Sequence, residues 1–158
     1  MPYHGIHSDF HYQMTYLDDG SRKTLLECSA RYCFKAIISA MAEMQQMRLS
    51  HRDISAENLM LDRPRCVVID FATNICLPYN NDQRLLVINT QQVGKWQYMA
   101  SEMFDGLPYD GFAVDLWSCA IMLFRMTARC FPFELPRNTD QNFKDVSDNS
   151  LTLCQSRS

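Results

Sequence analysis

No C-x-x-C pair occurs in the chain, although it holds seven cysteines: Cys28, Cys33, Cys66, Cys76, Cys119, Cys130 and Cys154. An odd number without metal-ligand spacing speaks against a disulfide framework or a zinc site and for a reducing, cytoplasmic location. Most of these cysteines have apolar sequence neighbours, where Cys serves as a small buried hydrophobe. A strong excess of charge is also missing. The net charge is −3 over 158 residues, which gives no basis for a nucleic-acid or membrane-surface partner. No run approaches the roughly 18 apolar residues of a membrane span, and the opening residues lack the apolar stretch of a secretory signal. Glycine is scarce. Gly5 and Gly20 are the only two before position 51, and no G-x-G-x-x-G phosphate cradle is spelled there.

What is present has the balance of a folded globular chain: 47% apolar and 21% charged residues, enough for one domain with its own core. Residues 1 to 23 are polar and aromatic, with a turn signal at Asp18-Asp19-Gly20-Ser21. Thr24-Leu25-Leu26-Glu27 spells a capping box, in which Thr24 and Glu27 satisfy each other's free backbone N–H groups. Leu26, Ala30, Phe34, Ile37, Met41 and Met44 then recur at steps of three and four, predicting a helix that runs to about Met47, with Met41, Met44 and Met47 as core filler.

A polar loop follows, His51-Arg52-Asp53-Ile54-Ser55-Ala56-Glu57-Asn58. Leu59-Met60-Leu61 and Cys66-Val67-Val68-Ile69 flank Asp62-Arg63-Pro64-Arg65, the pattern of a small β-hairpin. Asp70-Phe71-Ala72 ends the second run, and a long loop extends to about Glu102. Loops of that length are usually functional or mobile. Ala113 to Met126 is apolar on almost every side, as expected of a helix buried in mid-domain. From Pro136 onward the chain is polar, with at most a short amphipathic piece near Phe143 and Val146.

Asp53 could accept a hydroxyl proton, while the Asn58 amide and the Asp70 carboxylate are hard oxygen donors suited to Mg²⁺. One base and two metal-holding groups are the least a protein must contribute to phosphoryl transfer, which is mostly positioning and charge neutralisation. Here the sequence resembles the eukaryotic protein kinases of the serine/threonine type, through four pieces in family order. His51-Arg52-Asp53 with Asn58 is similar to the catalytic loop, and Asp70-Phe71-Ala72 to the metal-binding D-F-G. Gly94-Lys95-Trp96-Gln97-Tyr98-Met99-Ala100-Ser101-Glu102 resembles the segment ending in A-P-E, and Asp115-Leu116-Trp117-Ser118 the start of the central helix.

The resemblance implies a mainly α fold: a protein-kinase-like C-terminal lobe with a short β-hairpin next to the catalytic loop. It covers about residues 10 to 146, and the partial domain is expected to span 1–146, lacking the last helices, with 147–158 a polar tail. It implies ATP and Mg²⁺ as cofactors and a protein substrate as partner. Asp53 would be the base, Asn58 and Asp70 the metal ligands, and Met60 the apolar floor under the adenine. His51 and Phe71 would stack in an internal column, and Asp115 would anchor the catalytic-loop backbone. Arg52 would pair with a phosphate on the long loop, Thr90 being the hydroxyl best placed to carry one.

The departures carry their own expectations. The Gly-rich loop, the strand lysine and its glutamate partner are not among these residues, so the chain offers half of an ATP cleft and is expected to be inactive alone. Glu102 is expected to lack the late arginine that it meets in the family. A pseudokinase-like binding module without catalysis is the alternative, with a partner protein covering the face where the N-terminal lobe would dock. Family members usually place a lysine where Ser55 stands and a threonine where Lys95 stands. Lys95 and Ser55 are therefore expected to meet beside Asp53 from exchanged positions. Ala72, in the glycine position, predicts a loop that flips less readily. Arg125 stands where relatives that prefer basic substrates carry an acid, so no such preference is implied.

Overall fold

The computed structural model describes residues 8–9, 27–62, 65–88 and 91–147. Its first helix, α1 (Glu27–Gln46), buries Ala30, Cys33, Ile37 and Met44 in one stripe, with Phe34 and Met41 packed half-buried beside it. The capping box expected at its start reaches back to Thr24, outside the described residues. Met47 is not core filler. It is 59% exposed, because the helix ends at Gln46 and Arg48 turns into the left-handed region at φ 59°. That turn sends the chain back along the helix into β2 (Leu49–Ser50).

The hairpin forms as the apolar runs suggest. β3 (Leu59–Asp62) and β4 (Arg65–Val68) pair antiparallel, with Leu59 opposite Val68 and Met60 opposite Val67. The other edge of β3 is taken by β1 (Ser8–Asp9), giving a three-stranded sheet in the order β1-β3-β4. A two-residue strand amid polar and aromatic residues has no period to read, so no pattern marks it.

The stretch expected as one long loop is not structureless. It contains β5 (Ile75–Cys76), paired with β2, and the small hairpin of β6 (Tyr79–Asn80) with β7 (Gln83–Arg84). A bridge between Val87 and Tyr109 then ties it down, followed by the short helix α2 (Ser101–Phe104). These pieces are two to four residues long, below the length at which alternation becomes visible.

Helix α3 (Gly111–Ala128) is the centre of the molecule and packs against α1. Asp110 caps it by accepting from the N–H groups of Phe112 and Ala113, at 2.9 and 3.3 Å. Gly111 is needed there. A Cβ would lie 2.4 Å from Leu77 Cδ2 and 2.8 Å from Ser50 Cβ, so only glycine lets the first turn seat against β2. The Ser50 hydroxyl closes that contact by donating to the Gly111 carbonyl at 3.0 Å. Val114, Cys119, Ile121, Met122 and Met126 are buried, and Trp117 joins the two apolar clusters of the core.

The helix is not covered all round. Leu116 is 56% exposed, with Ala113 and Ala120 exposed along the same strip. By length and mean hydropathy (1.3) it is apolar enough to cross a membrane. Its buried side, however, carries Asp115, 1% exposed and bonded to backbone. The polar end of the chain folds too. Asp140 accepts from the backbone N–H groups of Glu134, Leu135, Asn142 and Phe143. Against the upward pull of burial, those four donors hold its carboxyl below the usual value. It thereby starts α4 (Gln141–Ser147), whose Phe143 packs edge-on against Phe133 at 5.2 Å. Beyond Ser147 the polar tail lies outside the described residues.

Two outcomes follow. Cys33 and Cys119 are buried thiols while Cys76 and Cys130 are exposed, so burial is not the rule. Burial, helped by the nearby Asp115 charge, pushes the Cys119 thiol up to about 12. Native-state alkylation with peptide mapping should label Cys76 and Cys130 promptly and Cys119 only on unfolding. Labelling Cys119 as fast as Cys130 would contradict this packing. The second concerns Asp115, whose carboxylate accepts from the backbone N–H groups of His51 and Arg52, both at 2.7 Å. An amide offers one acceptor for those two donors, so Asp115→Asn should cost about 1–3 kcal/mol in denaturant unfolding. Burial raises this group's pKa, opposed by the two backbone bonds. Its contribution to stability is therefore full below the unfolded carboxylate value and falls as pH rises through the higher folded one. Asp115→Asn should remove that slope.

Candidate active site

The loop from His51 to Asn58 is placed by α3. With both backbone N–H groups drawn to Asp115, Arg52 is held at φ 66°, a conformation that a non-glycine residue adopts only when its surroundings compensate. The compensation is visible. The Thr73 hydroxyl donates to the His51 carbonyl at 2.8 Å, and Arg52 Nε donates to the Thr73 carbonyl at 2.7 Å. His51 is fully buried, with Nε2 3.2 Å from the Ile69 carbonyl and its ring 4.9 Å from that of Phe71. The expected His51–Phe71 contact thus exists, although Phe71 is 43% exposed on its other side.

This kink delivers Asp53. Its Oδ2 accepts from Asn58 Nδ2 at 2.8 Å and lies 3.5 Å from Lys95 Nζ. Asn58 Nδ2 also donates to the Asp53 carbonyl at 2.8 Å, so both amide protons are committed and the amide oxygen is left for another partner. Asp53 Oδ1 is buried with no hydrogen-bond partner among the described residues. A buried carboxylate oxygen without a donor is costly, and such an atom in a native fold asks for an external one.

Lys95 and Ser55 meet: Nζ is 2.9 Å from Ser55 Oγ. Gly94 makes that approach possible. It sits at φ +90°, and a Cβ would come 2.6 Å from the Arg52 carbonyl oxygen and 3.2 Å from Asp53 Oδ1. The segment therefore passes directly over the Asp53 carboxylate and drops Lys95 beside it. On the remaining side, the Ile69 N–H donates to the Asn58 carbonyl at 2.9 Å, which brings Asp70 next to Asn58. Asp70 is exposed, and Oδ1 takes a single long bond from the Ala72 N–H, 3.3 Å. The strained backbone here is that of Asp70, left-handed at φ 63°, while Ala72 lies in an ordinary helical turn. The substitution of the family's glycine at position 72 thus meets no left-handed backbone. Met60 is half-buried on β3, two residues past Asn58.

Other expectations land differently. Thr90 lies outside the described residues. Arg52 is engaged internally, its NH1 donating to the Tyr109 hydroxyl at 3.3 Å besides its bond to Thr73. The Glu102 carboxylate takes the Ser101 hydroxyl at 3.3 Å and, among the described residues, no cation. Reading the sequence missed Thr73, Tyr109 and Tyr98, each a hydroxyl reaching a loop distant in the chain. A lone Thr or Tyr has no spacing signature, so no pattern could have found them.

Comparison with known proteins agrees with this geometry. Residues 7–157 match the protein kinase domain. The chain is 35% identical over 111 residues to serine/threonine-protein kinase ppk8 of Schizosaccharomyces pombe, covering 70% of this chain and 21% of that protein. It is 34% identical over 121 residues to serine/threonine-protein kinase SRK2J of Arabidopsis thaliana, covering 75% of this chain and 34% of the relative. The chain thus spans 21% and 34% of these two curated relatives. A domain match over nearly its whole length, with the motif residues gathered around one carboxylate, makes this chain a member of the protein kinase domain family.

Proposed function

We propose that these residues form the acceptor-activating and metal-holding half of a protein serine/threonine kinase site, which transfers the γ-phosphoryl group of ATP to a protein hydroxyl. The observation that carries the reading is the state of Asp53. One of its oxygens is pinned by Asn58 and flanked by Lys95, and the other is buried with no donor among the described residues. A substrate hydroxyl donating to Oδ1 would complete that carboxylate. It would be oriented and relieved of its proton as it attacks.

Lys95, with 35% of its side chain exposed, can turn from Asp53 toward the transferred phosphoryl oxygens. The Ser55 hydroxyl holds it in place. The exchange of the two residues relative to the family pattern then keeps one ammonium and one hydroxyl beside the carboxylate. Asn58 and Asp70 fit Mg²⁺, which takes hard oxygen donors and leaves most of its coordination to phosphates and water. When bound, the cation would neutralise charge on the phosphates, with Met60 under the base. A cytoplasmic location belongs to the same proposal and is checked by cell fractionation.

A second reading has its own observation. Between α1 and β4 lies an open groove of about 460 Å³, lined by Tyr32, Met44, Met47, Val67 and Phe71 among others. Val67 and Phe71 are 45% and 43% exposed. A binding module without catalysis would use this apolar face to hold a partner protein. On the kinase reading the same groove seats an N-terminal lobe.

Three measurements test the kinase reading. Mg-ATP should raise the melting temperature of the 158-residue chain, and Asp70→Asn should abolish the rise; an unchanged rise would remove Asp70 from the metal site. Transfer to a generic protein substrate by the pure chain should be undetectable, since its residues spell no phosphate-cradling glycine loop. In a fusion that supplies a kinase N-terminal lobe, Lys95→Thr should lower kcat about tenfold or more. Adding Ser55→Lys should restore most of it. Full activity in the single variant would refute a role for Lys95.

A further inference from the structure

The stretch after Asp70 is gathered onto α3 by contacts that the candidate site does not account for. Its hairpin is encoded locally. β6 and β7 face each other with Asn80 opposite Gln83, and the two residues between, Asn81 and Asp82, take left-handed backbone at φ 45° and 63°. A turn of that hand matches the twist of paired strands, and Asn and Asp are among the non-glycine residues that enter it most readily. Two arginines then hold the hairpin. Arg48 lies 4.3 Å over the ring of Tyr79 and donates to Asp82 Oδ1 at 3.0 Å. Its side chain is 53% exposed and that of Asp82 92%, so water screens most of this pair.

Arg84 is placed differently. Its Nε and NH2 both reach Asp110 Oδ2, at 2.8 and 2.5 Å, and the two side chains are only 31% and 28% exposed. Its guanidinium also lies 4.4 Å over the ring of Phe112. Asp110 Oδ1 meanwhile caps α3, so one carboxylate joins the hairpin to the first turn of the central helix. The preceding residue, Tyr109, exchanges both backbone hydrogen bonds with Val87, at 2.7 and 3.1 Å. Tyr109 is buried, and its hydroxyl accepts from Arg52 NH1 at 3.3 Å. The contacts that begin at Arg84 therefore end on the residue before Asp53.

We infer that Arg84 is a positioning residue: by pinning the β6–β7 hairpin to Asp110 it straps the loop across the start of α3, keeps the Tyr109 hydroxyl on Arg52, and so sets Asp53 without a phosphoryl group on the loop. Arg52 Nε and NH1 already serve Thr73 and Tyr109, which leaves the chain's own contacts to order the segment. What Asp53 is set for rests on the kinase reading; the strap rests on the contacts alone.

The test is amide hydrogen exchange, followed by NMR, on the full chain made in bacteria and shown by intact mass to carry no phosphate. The amides of Leu85, Val87 and Tyr109 each donate to a backbone carbonyl and should be protected. Arg84→Met should speed their exchange about tenfold or more, the scale of a partly buried charge-assisted bond read as local opening. The Arg52 amide should quicken severalfold with them, while α1 keeps its native rates. Arg84→Lys keeps the charge but not the fork, and should fall between the two. Asp110→Asn keeps a capping side chain and loses the charge, so it should match Arg84→Met at Leu85 and Val87, and the double variant should add nothing further. Should Arg84→Met loosen the whole chain, α1 included, Asp110→Asn carries the same reading. Three results would overturn the strap: Leu85 and Val87 exchanging in the native chain as fast as an unfolded peptide, rates unchanged in both variants, or an Arg52 amide that ignores them. No nucleotide or transfer is involved, so an inactive chain leaves this result readable. A failed strap likewise leaves Mg-ATP binding and transfer to be judged by themselves.

Discussion

The candidate site hangs on one carboxylate that lies outside it. Asp115 faces out of an apolar helix into the backbone of His51 and Arg52 and accepts both N–H groups at 2.7 Å. Each such charge-assisted bond is worth about 1.5–3 kcal/mol when buried. Together they hold Arg52 in a left-handed conformation that it would not adopt by itself. That kink aims Asp53 at Asn58 and Lys95. The placement of Asp115 depends in turn on Gly111, where the absence of a side chain lets the helix settle against Ser50 and Leu77. A local steric requirement one turn away thus sets the position of Asp53.

The Ser55–Lys95 contact shows what such a scaffold tolerates. Two residues forty apart in sequence have exchanged chemical types relative to the family pattern, yet ammonium, hydroxyl and carboxylate still share one corner. Gly94 explains why the exchange is feasible. Its close approach to Asp53 brings the next side chain into reach whichever residue that is. Electrostatics near a reacting group depends on where the charge sits, not on which strand supplies it.

How legible this was in the sequence varied with the length of the signal. The spacing of Ala30, Ile37 and Met44 marked α1, and two apolar runs around Asp62-Arg63-Pro64-Arg65 marked the hairpin. The four motifs located Asp53, Asn58, Asp70 and Asp115, since each is a short local string. The strands β1, β5, β6 and β7 escaped because two residues have no period. Met47 was misplaced because the helix period was carried one residue past its end, into the turn that Arg48 makes. Thr73, Tyr98 and Tyr109 act through single hydroxyls across the fold, and only coordinates reveal such contacts.

Helix α3 tests how far composition can be trusted. Its hydropathy suits a membrane, and its sequence reads as apolar on every side. Charge placement settles the matter differently. Asp115 lies on its buried side and is satisfied by backbone N–H groups of a loop, and Arg125, a few turns on, is satisfied by Glu57 and Tyr98. Neither group could be paired by lipid, and each is paired by a segment of the active site. The apolar residues between Asp115 and Arg125 supply the rigid rod that keeps their partners a fixed distance apart, so the Asp53 loop and Glu57 are positioned by a single element.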